Sequence, residues 1–171
     1  MGSPGSLHLK TQFKAYVLLL AKRSIIRLEV VAEALTWLGT KFAMNAAIKG
    51  VAVDCGRYPE LVYRSAGLDV PNLPAHWPRD FMCHAIADTE PYLTLIQKKL
   101  VEVSAPLPGD LAIFKPFRSR CFSHTAIVVD WPKVIHARGV GMNAGVEECA
   151  YGQWPLDGGI PVRFFSPFSK F

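Results

Sequence analysis

Cys55 sits in Val53-Asp54-Cys55-Gly56, where an extended, glycine-punctuated segment gives way to an amphipathic stretch closing at Ser65-Ala66-Gly67. A thiol at such a junction can act as a nucleophile. The thiolate is the attacking species, and a helix N-terminus or a neighbouring imidazole stabilises it. Unpaired N–H groups at a helix start favour negative charge, and Asp54 is placed to cap them. A cysteine alone in this pattern is more often a small buried hydrophobe, so its meaning depends on two histidines. His124 opens the run His124-Thr-Ala-Ile-Val-Val129 and His136 lies in Val134-Ile-His-Ala137, with a tight turn at residues 130–133 between them. On adjacent antiparallel strands in suitable register, two such side chains share one face and lie close together. That is the geometry of a base and the group that orients it. Nucleophile, base and orienting residue form a triad recognised by roles rather than by chain order.

The elements that must position these residues follow from periodicity. Leu28, Val31, Leu35 and Leu38 are spaced as the apolar stripe of a helix over Arg27 to Leu38, ended by Gly39. A loop over residues 40–45 then leads to Cys55 and should form one wall of the site. A second helix is expected from Tyr58 to Ala66, with Pro59 marking either its first turn or a distortion of it. Residues 71–78 are too proline-dense for regular structure. Two short helices follow, Arg79–Ala87 and Pro91–Val101, the latter with proline at its natural starting position. Trp77, His76 and His84 are candidates to line a cleft, with plain surface and packing roles equally open to them. The second half turns β-rich, with runs at Asp110–Phe114, His124–Asp130, Val134–Ala137, Val146–Cys149 and Val162–Phe165 separated by Gly, Pro and Asn. Helices first and strands afterwards predict an α+β domain, its helices packed on a small antiparallel sheet.

With 171 residues, half of them hydrophobic, the chain can bury a core without disulfides or metals. The formal charge of +5 resides in residues 1–28, which carry Lys10, Lys14, Lys22, Arg23 and Arg27 and no acid. From Glu29 onward the charges balance, so no nucleic-acid partner is expected of the body. Residues 1–26 read as a basic leader or extension and 27–171 as one domain. The apolar stretch within residues 14–22 is far shorter than the ~20 residues of a membrane span and lacks a signal-peptide cleavage pattern. It is expected to be a helix packed on the domain or a poorly ordered extension. Cys55, Cys83, Cys121 and Cys149 lack the repeated spacing of a disulfide scaffold. The pairs Cys83-His84 and Cys121-x-x-His124 are too irregular for a structural zinc site. Neither a metal nor a cofactor is expected.

Several motifs in order resemble the NlpC/p60 family of cell-wall cysteine peptidases. They are Trp37-Leu-Gly-Thr-Lys-Phe42, Val53-Asp-Cys55, Leu107-Pro-Gly-Asp-Leu-Ala-Ile-Phe114, Ser123-His124-Thr-Ala-Ile-Val128, Val134-Ile-His136-Ala137 and the closing residues 163–168. The pattern is most similar to the compact forms of tailed phages, prophages and gene transfer agents. The resemblance implies a papain-like α+β fold with Cys55 as nucleophile, His124 as general base and His136 as its orienting residue. It further implies hydrolysis of an amide in peptidoglycan stem peptides, typically between γ-D-glutamate and the following diamino acid, with backbone N–H groups around Cys55 holding the oxyanion. Phage tail proteins are the partners it suggests, while the site of action is left open. Phe42, Asp54, Gly56, Trp77 and Ser123 are expected to contact substrate. The chain departs from the family at Phe42, where a tyrosine is usual, and at Gly56-Arg57 and Pro59 after the nucleophile.

Two further readings compete. One is an acyl hydrolase or transferase on the same fold, which an apolar channel would favour as a polar cleft would favour the wall peptide. The other is a non-catalytic tail or wall-binding component, against which the joint presence of Cys55, His124 and His136 argues.

Overall fold

The computed structural model describes residues 4–76, 90–117, 119–153, 156 and 158–168. The expected helix at Arg79–Ala87, together with Trp77, Cys83 and His84, lies outside them. The chain opens on one unbroken helix, α1 (Pro4–Leu35). Three two-residue strands follow, β1 (Lys41–Phe42), β2 (Ala47–Ile48) and β3 (Ala52–Val53), then α2 (Arg57–Ser65) and α3 (Pro91–Gln97). The remaining strands are β4 (Val101–Val103), β5 (Leu111–Phe114), β6 (His124–Asp130), β7 (Lys133–Arg138), β8 (Gly145–Ala150) and β9 (Val162–Ser166). All nine form one sheet in the order β2-β3-β1-β8-β7-β6-β5-β9-β4.

The expected α+β architecture is present, and the run from β5 to β8 is an antiparallel meander. Three features differ from expectation. The segment before Cys55 is not a plain loop: β1 pairs with β3 in parallel and with β8 in antiparallel sense, which ties the cysteine's approach to the main sheet. This junction is close enough that a Cβ on Gly145 would stand 2.5 Å from the Thr40 carbonyl oxygen. Residues 98–101, expected to end a helix, instead turn out of α3 into edge strand β4, whose β-branched Val101 and Val103 pair with β9.

The buried stripe of α1 also differs. Ile26, Val30, Ala34 and Trp37 face the core, whereas Leu28, Leu35 and Leu38 are exposed. Two sets of residues at three-to-four spacing interleave here, and spacing alone does not say which faces the sheet. Ala34 meets α2, its carbonyl accepting from the Tyr58 hydroxyl at 3.3 Å, and Trp37 packs edge-on against Tyr58 with ring centroids 5.9 Å apart. The first part of α1 is helical but does not pack on the body: residues 11–22 are exposed throughout. Among the described residues no helix is long and apolar enough to cross a membrane.

Strand alternation divides the apolar residues between two faces of the sheet. Leu111, Ile113, Ile127, Ile135 and Phe165 join the helices in the main core. Ala112, Phe114, Ala126, Val128 and Val134 form a second cluster with Leu156.

Candidate active site

Cys55 is placed by a turn that one carboxylate assembles. Asp54 is buried, and its Oδ1 accepts the backbone N–H groups of Gly56 at 2.9 Å and Arg57 at 2.7 Å. Its Oδ2 accepts the N–H of Asn45 at 2.9 Å, which ties the preceding loop to the same point. The Asp54 carbonyl then accepts from the Tyr58 amide at 3.0 Å, starting the helical turn ahead of α2. Pro59 is the third residue of α2, where an N–H would lack an intrahelical partner in any case, so the helix begins without distortion. From the sheet side, the Thr125 hydroxyl donates to the Cys55 carbonyl at 2.5 Å and lies 3.4 Å from the Tyr92 hydroxyl.

The histidines are placed by register. His136 lies opposite Ala126 across β6 and β7, so His124, two residues along β6, shares its face and reaches it diagonally over the small alanine. His124 Nε2 and His136 Nδ1 are 2.7 Å apart, with the rings nearly perpendicular. This contact leaves Nδ1 as the nitrogen that His124 can offer to the thiol. Behind the pair, His136 is fully buried and its Nε2 makes no hydrogen bond. Glu147, opposite His136 on β8, brings Oε1 to 3.6 Å from that nitrogen. The Glu147 carboxylate is held by Arg138, through Nε at 2.5 Å and Nη2 at 2.9 Å.

Cys55, His124 and His136 line one cleft of about 330 Å³ together with Phe42, Asp54, Gly56 and Ser123. Ser123 contributes its backbone, because its carbonyl oxygen lies 3.8 Å from Cys55 Sγ while its hydroxyl turns to Ser119 at 3.1 Å. The tip of the Phe42 ring closes on Gly139, where a Cβ would stand 2.9 Å from Cζ. The structure therefore brings together every expected catalytic and substrate-contacting residue except Trp77, which, like His84, lies outside the described residues, whereas His76, the third candidate to line a cleft, is exposed and is not part of this one. It adds Tyr92, Thr125, Arg138 and Glu147. Arg138 follows His136 at the strand's two-residue period, a signal available in the sequence, whereas Glu147 depends on the β7–β8 register. The remaining lining is largely apolar, with Met44, Pro116, Val140, Leu156 and Ile160 on its walls. Among the described residues no group of three or more His, Cys, Asp or Glu is arranged to hold a metal ion.

The electrostatics correct one expectation. A helix start was expected to lower the Cys55 pKa, but burial and then the Asp54 charge push it up to about 12, against weaker help from the amides of Thr125, Cys55 and Gly56. Asp54 itself occupies the first amides of the helix, so their positive end serves the carboxylate more than the sulfur. Burial, then the neighbouring His136, lowers His124 to about 3, and burial, then Arg138, lowers His136 to about 4. The resting site thus holds a neutral thiol beside neutral imidazoles. A neutral imidazole can take a proton from a thiol that attacks and does not share a preformed ion pair with it.

The fold is that of NlpC/p60 domains. NlpC1 from Trichomonas vaginalis superposes with a TM-score of 0.55 at 17% identity, covering 80% of this chain and 41% of its own length. The NlpC/p60 domain of the peptidoglycan hydrolase SagA gives 0.50 at 20% identity, covering 80% of this chain and 96% of that domain. RipD from Mycobacterium tuberculosis, described as a non-catalytic NlpC/p60 protein adapted to peptidoglycan binding, gives 0.52 at 17% identity over 82% of this chain and 96% of its own. The chain thus spans about two-fifths of the Trichomonas protein and nearly the whole of the other two. No protein-family model and no curated protein sequence matches it.

Proposed function

We propose that the protein is a cysteine hydrolase that cleaves an amide bond in peptidoglycan stem peptides. Cys55 is its nucleophile, His124 its general base and His136 the residue that orients the base. The observation that carries this reading is the 2.7 Å contact between His124 Nε2 and His136 Nδ1 in the cleft that also holds Cys55. In the reaction, Cys55 Sγ attacks the carbonyl carbon while its proton passes to His124 Nδ1. Collapse of the tetrahedral intermediate expels the amine, which takes that proton. Water, deprotonated by the same imidazole, then releases the acid and restores the thiol. Asp54 holds the Gly56 and Arg57 amides, and Tyr58 bonds to the Asp54 carbonyl. The Cys55 amide is thus the donor this turn offers an oxyanion.

The wall substrate is supported by likeness to the SagA domain and by the motif pattern. The bond after γ-D-glutamate and a phage-tail or prophage setting are finer parts of the proposal and rest on the motif resemblance. RipD shows that this fold also serves binding without catalysis, so the likeness alone does not make an enzyme. The three reactive side chains meeting in one cleft are what favour activity here.

A specific observation favours a second reading. The apolar lining of the cleft suits a hydrophobic acyl group, such as that of a lipid ester, better than a charged stem peptide. Mass spectrometry of defined muropeptides, incubated with the wild type and with Cys55→Ala, tests the first reading. A fragment pair made by the wild type alone supports it and identifies the bond. No cleavage of muropeptides, with Cys55-dependent hydrolysis of nitrophenyl esters that rises with acyl length, would replace it with the second.

A further inference from the structure

We infer that Glu147 is a positioning residue for the imidazole pair, selecting the tautomer in which His124 presents an unprotonated Nδ1 to Cys55. The inference rests on the cysteine-hydrolase reading above and deepens it. The 2.7 Å contact between His124 Nε2 and His136 Nδ1 carries a single hydrogen, and the two ways of placing it have opposite consequences. With the hydrogen on His124 Nε2, His124 Nδ1 is bare and can take the thiol proton, and neutral His136 carries its own hydrogen on Nε2. With the hydrogen on His136 Nδ1, His124 must be protonated at Nδ1 and cannot act as the base. His136 Nε2 is then a bare lone pair.

That nitrogen is buried, has no hydrogen-bond partner and lies 3.6 Å from Glu147 Oε1. A carboxylate only accepts hydrogen bonds, so it attracts an N–H and repels a lone pair. It therefore favours the productive arrangement. The carboxylate is kept in place from behind by two hydrogen bonds from Arg138, and the Arg138 guanidinium also donates to the Val140 carbonyl. His136 and Glu147 are register partners on β7 and β8, so the approach is set by the sheet. No proton moves to Glu147 during the reaction. The S–H bond of Cys55 breaks, the Nδ1–H bond of His124 forms, and the positive charge on the imidazole pair faces the carboxylate.

The test uses the full chain, labelled with 15N, and reads the ring nitrogens of both histidines by long-range proton–nitrogen correlation at neutral pH. In the wild type both rings should carry hydrogen on Nε2. In Glu147→Gln the negative charge that favours an N–H at His136 Nε2 is lost and one amide oxygen must serve both Arg138 and His136, which shifts both rings toward the Nδ1–H form. Alkylation of Cys55 by iodoacetamide should then slow, and kcat on whichever substrate is cleaved should fall roughly tenfold or more with KM little changed. A wild-type His136 protonated on Nδ1 would overturn the inference. So would a folded Glu147→Gln protein with unaltered tautomers and alkylation rate. If that variant does not fold, the wild-type spectrum decides alone. Failure to cleave any muropeptide would count against the proposed substrate while leaving the tautomer and alkylation readings intact.

Discussion

On one side of the cleft Cys55 stands on a short turn held by the buried Asp54, which gathers amides from Asn45, Gly56 and Arg57. On the other, His124 and His136 stand on strands whose neighbours pair along β5, β6, β7 and β8. The cysteine wall is thus mostly a local construction, tied to the sheet by the Thr125 hydroxyl and the β1 pairing, and the histidine wall a product of long-range register. The first depends largely on one carboxylate, whereas the second is shared among many backbone bonds. Damage to the turn should disturb geometry and stability together, while substitution of a histidine on the ladder should remove chemistry and spare the fold.

The largest effects test that contrast at the reacting atoms. Cys55→Ala and His124→Ala should each lower kcat by on the order of 10⁴-fold or more, with thermal unfolding close to that of the wild type. Steady-state kinetics beside calorimetry checks both halves, and an active His124→Ala protein would end the assignment of His124 as base. In the same variant Cys55 should alkylate more slowly, because its resting thiol depends on the imidazole to take its proton. His136→Ala acts one step further from the thiol and should cost less, roughly 10²-fold in kcat, since a free His124 ring still samples the productive orientation. Equal losses for the two histidines would mean that the pair works as a single unit.

On the cysteine wall, Asp54→Ala strips three amides of their acceptor, two of them in the turn that carries Cys55. A stability loss of roughly 2–3 kcal/mol is expected from groups left without partners, together with a fall in kcat. Chemical denaturation measures the first. A stable Asp54→Ala protein that keeps full activity would show that the turn is held by its backbone alone.

Legibility in the sequence follows the same division. The strands of the histidine wall stood out because β-branched runs are bounded by Gly, Pro and Asn, and β6 spans the expected residues His124–Asp130. The Cys55 turn was legible because Asp54 and the residues around it are adjacent in the chain. Glu147 was hidden, since only the β7–β8 register brings it opposite His136. The raised thiol pKa is hidden for a related reason: the sequence shows the helix start, but not its occupation by Asp54 or the burial around the sulfur. In α1 two interleaved apolar stripes are equally good helical faces, and only tertiary packing, which buries Val30 and Ala34, distinguishes them.

The pH dependence separates the walls by the smallest effect. His124 and His136 titrate near 3 and 4 in the folded protein, against about 6.5 for a free imidazole. Between those limits the unfolded chain binds protons that the folded chain refuses. The contribution of these residues to stability is therefore complete above pH 6.5 and is lost as pH falls toward 4 and then 3. Activity should follow the folded values, since His124 remains a neutral base well below pH 6, and the acid limb of kcat/KM should lie below that of an ordinary imidazole. His136→Asn removes one of the two titrations. Across pH 6 to 4.5 its unfolding free energy should fall less steeply than that of the wild type, by up to about 1.4 kcal/mol per pH unit. Comparing the two proteins cancels the carboxylates they share. Parallel slopes would mean that His136 is already protonated in the folded state, and with it the neutral imidazole pair on which the histidine wall depends would be lost.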